Sequence, residues 1–458
     1  MATRKGKAAS APKGAPPSSV TIRMYNVGFG DCFLLTFHYA KEERHMLVDY
    51  GSTAAPKGGP ADYMAKVAED IKKQSKGKLN VVVATHRHRD HISGFATDGV
   101  GTGKTIASLK PDVVIQPWTE DPNAKPNAST ATSSSFTSGK PDEKQIASHF
   151  LGSLEDMHRV AESIARLATN PAVAGRDTRN QLSFLGEDNL KNLSAVKCLM
   201  DMGKRAKAYY VNAGMQLNDL LPGVKITVLG PPTLKQSESI RKERSKDPSE
   251  FWQFRSFWAS QRLAVTDAAA VTNAEPLFPN NKRTSAADPD PNIRWFIHQS
   301  RNIHADQLLE LVRDLDSVMN NTSVILLFEI GDRKLLFPGD AQIENWSFAL
   351  NTPELRNLLK DVNLYKVGHH GSLNATPKSL WALFDHKGGE HTHDRLDTLC
   401  STKSGKHGSA KSGTEVPRHV LVDELKKDSV FVSTEDFAKN TLFSETTISI
   451  AKKAKRAG

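Results

Sequence analysis

The 458-residue chain holds only three cysteines, Cys32, Cys198 and Cys400, an odd number at wide spacing. They form no CxxC pair and no disulfide framework, which points to a reducing, cytoplasmic compartment. Long apolar runs are also missing: nothing approaches the roughly 18–20 residues of a membrane span. The first residues, MATRKGKAASAPKGAPPSSV, lack the apolar core of a signal peptide, so no membrane partner is expected. Aromatic residues make up 7% and hydrophobic residues 38%, modest values that still allow a buried core. The net charge of +10 is moderate for this length; it permits an anionic substrate without naming one.

What remains is organised as strands and helices between polar stretches. Residues 1–19 and 451–458 read as basic tails. TIRMYNV, CFLLTFHY and HMLVDYGS read as three strands, the first two joined by a turn at Gly28–Asp31, where Gly28 and Gly30 bring backbone close to the site. GPADYMAKVAEDIKKQ reads as a helix with Pro60 near its start, and LNVVVAT as a strand buried on both faces. Further on, VKITVLGPP, the hairpin SVILLFEI/KLLFPGD turning at Gly331-Asp332, NLYKVGHHGS, TLCS and SVFVST read as strands, the last of them closing the series. VPRHVLVDELKK reads as a helix with Pro417 early, and QLLELVRDLDSVM as another. Alternating strands and helices imply an α/β core over 20–450, with insertions at 119–175 and 233–305. The first insertion opens with a polar loop and continues as a helix over 141–168; the second holds FWQFRSFWASQR, whose spacing fits a packed helical stripe better than a nucleic-acid surface.

The chemistry concentrates in VVVATHRHRDHISGF. An extended chain alternates its side chains, so His86 and His88 face one way and can share an ion, while Asp90 and His91 lie just past the strand, where a turn can swing them in. Imidazole and carboxylate are ordinary zinc ligands and also serve manganese and iron. Four such groups in six residues behind a buried strand favour a metal site over a solvated basic loop.

THRHRDH matches the HxHxDH signature and resembles the metallo-β-lactamase superfamily, whose fold is an αββα sandwich holding one or two metals between its sheets. LVDYGS (47–52), LLFPGD (335–340) and VGHHGS (367–372) are similar to that family's other motifs, in family order. The resemblance implies metal ligands at His86, His88, Asp90, His91, Asp340 and one of His369 and His370, with the other meeting substrate. Asp49 then orients a ligand histidine or touches the nucleophile, and Lys366 and Ser372 are candidates for holding a phosphate. YNVGFGDCFLL (25–35), NNTSVILL (320–327) and YKVGHHGS (365–372) resemble the hydrolase domain of the ComEC competence-protein branch. Where many members of the superfamily place a third histidine for the first metal, this chain has Asn320 and Asn321; an amide oxygen is a weak zinc ligand, and His298 or His304 could substitute.

The resemblance implies hydrolysis by two divalent ions, zinc or manganese, about 3.5–4 Å apart, sharing a hydroxide whose pKa falls toward neutrality. Phosphodiesters, including nucleic acid, are the implied substrates, with Asp90 and Asp340 fixing the metals. Small carbonyl esters, thioesters or lactones are the alternative, since one such site serves several chemistries. A metal-binding interaction module with little turnover is a third reading.

Overall fold

The apolar runs assemble as two mixed sheets laid face to face. The computed structural model describes residues 13–121, 192–233, 235–237, 319–372, 376–407 and 415–451. In the first sheet Ser19–Tyr25 (β1), Cys32–His38 (β2) and Glu43–Tyr50 (β3) form an antiparallel meander. Val81–Val83 (β4), Val113–Pro117 (β5) and Lys207–Val211 (β6) then add in parallel. The second sheet repeats the plan. Val224–Gly230 (β7), Ile325–Ile330 (β8) and Arg333–Phe337 (β9) are antiparallel. Leu364–Lys366 (β10), Asp397–Cys400 (β11) and Val430–Ser433 (β12) continue in parallel. Phe443–Ser449 (β13) returns to pair antiparallel with β1, giving the orders β13-β1-β2-β3-β4-β5-β6 and β12-β11-β10-β9-β8-β7.

Period-two alternation decides which residues fill the space between the sheets. Phe33, Leu35 and Phe37 of β2 point inward with Met46, Val48, Val81 and Val83, and meet Leu326, Phe328, Leu335 and Phe337 from the other sheet. The Phe33 and Phe337 rings meet edge-on at 5.8 Å. Residues between them in sequence, such as Leu34, Leu47 and Val82, face outward under helices α1 (Tyr63–Gln74), α3 (Thr102–Ser108) and α4 (Leu193–Arg205). A single-turn helix, α2 (Arg89–Ile92), is kept for the site. On the far side, Ile325, Leu327 and Leu336 pack under α5 (Ile343–Asn351), α6 (Pro353–Leu358), α7 (Lys378–Trp381) and α8 (His419–Asp428), with Trp346 fully buried among them. The architecture is an α/β sandwich of two mixed sheets flanked by helices.

Several expectations hold at the level of elements and shift at their edges. The hairpin turns at Gly331-Asp332, with Ile330 paired to Arg333. The first helix starts at Tyr63, because Pro60 and its neighbours form a turn whose carbonyl accepts from the Tyr63 amide. The last helix starts at His419, two residues past Pro417. SVFVST is not the final strand: β13 follows it, a polar strand whose alternation is carried by Thr and Ser. β6 was likewise unmarked in the sequence, as a sheet-edge strand beginning with exposed Lys207 and Ala208. The helix expected over 141–168, nearly all of QLLELVRDLDSVM, and nearly all of the insertion expected over 233–305, including FWQFRSFWASQR, His298 and His304, lie outside the described residues. Among the described residues no helix is long and apolar enough to cross a membrane.

Candidate metal centre

The parallel strands of both sheets end on the same side, and the candidate ligands sit at those ends. Hydrogen-bonded β4 stops at Val83, shorter than expected, and a five-residue segment without regular structure, ending at His88, leads into α2. The expected alternation survives outside the ladder: the His86 and His88 rings stand 4.7 Å apart. Arg87 turns the other way, where its Nε donates to both oxygens of Glu120 at 2.8 and 2.9 Å. That pairing separates the basic residue from the histidines on either side of it. The turn of α2 then carries Asp90 and His91 into the same space.

Two glycine loops clamp α2. The Asp31 amide donates to the Asp90 carbonyl at 3.0 Å, and the Gly51 amide to the Asp31 carbonyl at 3.0 Å. A methyl on Gly51 would stand 2.5 Å from the His91 nitrogen, and one on Gly30 2.6 Å from the Asp90 oxygen. Gly28 and Gly30 serve the close backbone approach read from the sequence.

From the second sheet come Asp340, following the Pro338-Gly339 turn, and His370, after β10. His369 and His370 both adopt positive φ, 41° and 52°. Two successive left-handed residues are costly outside glycine and turn the His370 ring inward. The sheets are joined here by the Val324 amide, which donates to the Thr85 carbonyl at 2.8 Å.

Among the described residues the donor atoms form three groups: two share Asp90, and a third, Asp31, Asp49 and His91, meets the first through His91. Asp90, His91, Asp340 and His370 make the first, with His86, His88 and Asp90 the second; within each, the atoms lie within 4.8 Å of one another and every residue is buried. His91 Nε2 is 3.0 Å from Asp340 Oδ2, and His370 Nε2 is 2.8 Å from Asp90 Oδ2. Both rings are held from behind. His91 Nδ1 faces Asp49 Oδ2 at 2.8 Å and His370 Nδ1 faces the Ser401 carbonyl at 2.9 Å. A carboxylate and a carbonyl only accept, so each Nδ1 carries a proton. Each Nε2 also faces a carboxylate. Burial works against the charge, but Asp340 and Asp90 overcome it, holding His91 well above its ordinary value and raising His370 to about 9. A cation bound here would displace the Nε2 protons. Asp49 is saturated, because the Thr85 amide and hydroxyl also donate to its two oxygens at 2.7 Å each. Its place is behind His91, orienting it.

Charge and burial set the protonation. Burial works against ionising Asp340, but His91, His370 and Lys366 overcome it and hold its carboxyl well below the usual range. Asp90 is buried as well, yet His91 and His370 draw it down to about 2. Burial and the neighbouring imidazoles keep His86 well below its ordinary value, so its lone pair is available. His86 Nε2 and Asp90 Oδ1 are buried and make no hydrogen bond. Buried polar atoms are rarely left so. Orphaned donors aimed into a His/Asp cluster fit a divalent cation.

The structure brings His86, His88, Asp90, His91, Asp340 and His370 together. His370 joins the cluster, while His369 stays half-buried at its edge, its amide donating to Asp340 Oδ1 at 3.1 Å. Ser372 closes the His369–Gly371 turn, its amide donating to the His369 carbonyl at 2.9 Å. Lys366 is not placed to meet solvent: it is 2% exposed and ion-paired with Asp31. Asp31, 1% exposed, was missed as a site residue although it ends the quoted GFGD turn. Asn320 and Asn321 are fully buried ahead of β8, in the turn that abuts Thr85; Asn321 Nδ2 donates to Glu344 at 3.3 Å. Comparison with protein-family models and with curated proteins returns no match for this chain. Fold and site together define an α/β sandwich with a buried His/Asp cluster able to hold a metal ion.

Proposed function

We propose that this chain is a metal-dependent hydrolase of the metallo-β-lactamase type, related to the ComEC branch and acting on phosphodiester bonds. One observation carries the reading: two buried donor groups, of four and three residues, share Asp90 at the strand ends of the two sheets. Asp90, His91, Asp340 and His370 would hold one divalent ion, and His86, His88 and Asp90 the other, with zinc or manganese suited to the donors. When bound, such ions acidify a water toward neutrality and polarise the bond under attack.

The protein's own groups do the rest. Asp49 and the Ser401 carbonyl keep His91 and His370 in the ligating tautomer. The three-donor group leaves room for a substrate oxygen, as catalytic sites do and structural ones do not. His369, at the edge, would pass a proton to the leaving oxygen. The phosphodiester assignment, with nucleic acid as the fuller substrate, is supported by motif resemblance and by the net charge of +10.

The test pairs metal content with turnover of bis(p-nitrophenyl) phosphate by wild type, His86→Ala and Asp340→Ala. Bound zinc or manganese, with hydrolysis lost in both variants, is the expected result. Metal without phosphodiester turnover would shift the reading to carbonyl esters and thioesters. A chain that takes up no divalent ion would overturn it.

A further inference from the structure

Beneath the cluster lies an ion pair that the proposed chemistry does not use. Lys366 ends β10 and is 2% exposed; Asp31 is 1% exposed. The Lys366 ammonium sits against Asp31 Oδ2, with the Gly339 carbonyl at 3.1 Å. The ammonium also donates to Asp340 Oδ1, at 3.5 Å, a longer contact than that to Asp31. Asp340 is thereby divided. Oδ1 accepts from the His369 amide at 3.1 Å and faces the ammonium, while Oδ2 faces His91 at 3.0 Å and His370 at 3.4 Å.

We infer that Asp31 is a positioning residue that holds Lys366 back, keeping this shared internal cation from passing wholly to Asp340 and competing with a metal ion there. The inference rests on the metal-site reading above and extends it to two residues that are not among the proposed ligands. A buried ammonium needs a counter-ion, since an unpaired charge is strongly disfavoured in such surroundings. Asp31 supplies it. With Asp31 gone, the nearest remaining carboxylate to Lys366 is Asp340, and the flexible four-carbon stem lets the ammonium cover the last stretch. Asp340 would then be neutralised by its own chain.

The same geometry explains why a lysine stands here at all. Asp31, Asp49, Asp90 and Asp340 crowd four carboxylates around two imidazoles, with contacts of 3.6–3.7 Å from Asp31 to His370 and His91. One fixed cation relieves that repulsion, and its anchor decides which carboxylate it relieves.

The test measures Zn²⁺ and Mn²⁺ affinity of the full chain by competition with a chromophoric chelator, alongside the melting temperature of each variant. Asp31→Asn should weaken binding by about tenfold or more, the range for residues that orient ligands from behind. Removing the competitor as well, in Asp31→Asn/Lys366→Met, should restore affinity to about the wild-type level, and Lys366→Met alone should bind at least as tightly as wild type. A purely structural pair would instead show affinity unchanged in Asp31→Asn, with melting temperature alone affected. Should Asp31→Asn not fold, Lys366→Met decides by itself: weaker binding than wild type overturns the inference. A double variant that binds as poorly as Asp31→Asn overturns it too. Wild type that binds neither ion sinks the metal-site reading itself, a result distinct from any pattern among the variants.

Discussion

Asp49 Oδ2 stands 2.8 Å behind His91 Nδ1, and His91 Nε2 stands 3.0 Å from Asp340 Oδ2. A carboxylate at the end of one sheet thus fixes a ring that reaches a carboxylate of the other. Replacing Asp49 by Asn offers the ring an amide that can donate as well as accept, and the tautomer is no longer imposed. Metal affinity should fall about 10–100-fold in Asp49→Asn, with fold retained. Chelator competition measures it, and unchanged affinity would show that His91 is oriented by something else.

The two donor groups are unequal, four residues against three. His86→Ala removes a donor from the smaller group only, so bound zinc should drop from about two equivalents to about one. His370→Ala strikes the larger group and should lower affinity for the ion that remains in His86→Ala. Elemental analysis after gel filtration separates the two; equal losses would mean that the groups do not act as distinct sites.

Glycine requirements can be tested without touching a donor. In Gly51→Ala the methyl meets the backbone of Asp90 and His91 at 2.5 Å, where nothing can rotate away. The cost should reach or exceed the roughly 1–3 kcal/mol typical of overpacking, with loss of bound metal as α2 shifts. Gly77→Ala is the control, since its methyl meets nothing within 4 Å. Only its positive φ of 78° is penalised, by about 1–2 kcal/mol, and metal content should not change. Thermal melts with metal analysis check both.

His45, buried on β3, should contribute to the pH dependence of stability in acid. Burial pushes its imidazole down to about 4 despite the opposing charge of Glu43. The unfolded chain therefore binds this proton first as pH falls. Stability from this group is complete above about 6.5 and drains between there and about 4. A gap that wide amounts to roughly 3 kcal/mol. His45→Gln should flatten the pH dependence of denaturant unfolding across that window, and an unaltered slope would assign the acid lability elsewhere.

Much of this was legible in the chain itself. CFLLTFHY was legible as a strand, and its period of two is why Phe33, Leu35 and Phe37 share the face that meets the other sheet. His86 and His88 were legible for the same reason, with two residues of an extended chain facing one way. Polar strands escaped: β13 has Thr and Ser on both faces and owes its place to pairing with β1, which joins Ile22 to Thr446. No local pattern carries that long-range register.

What the sequence determined by itself was the cluster His86, His88, Asp90 and His91 and the strand end that delivers it, since both follow from local periodicity and the chemistry of His and Asp. Asp340 and the second-sheet histidine were implied only by motif resemblance. Only the tertiary structure decided between His369 and His370, because two left-handed residues rotate one ring inward and leave the other at the edge. It alone drew Lys366 away from solvent and onto Asp31, 335 positions earlier in the sequence by their numbering. The reason is physical: which charge neutralises which inside a protein depends on a few ångströms between distant segments. Residue spacing along the chain carries no record of that distance.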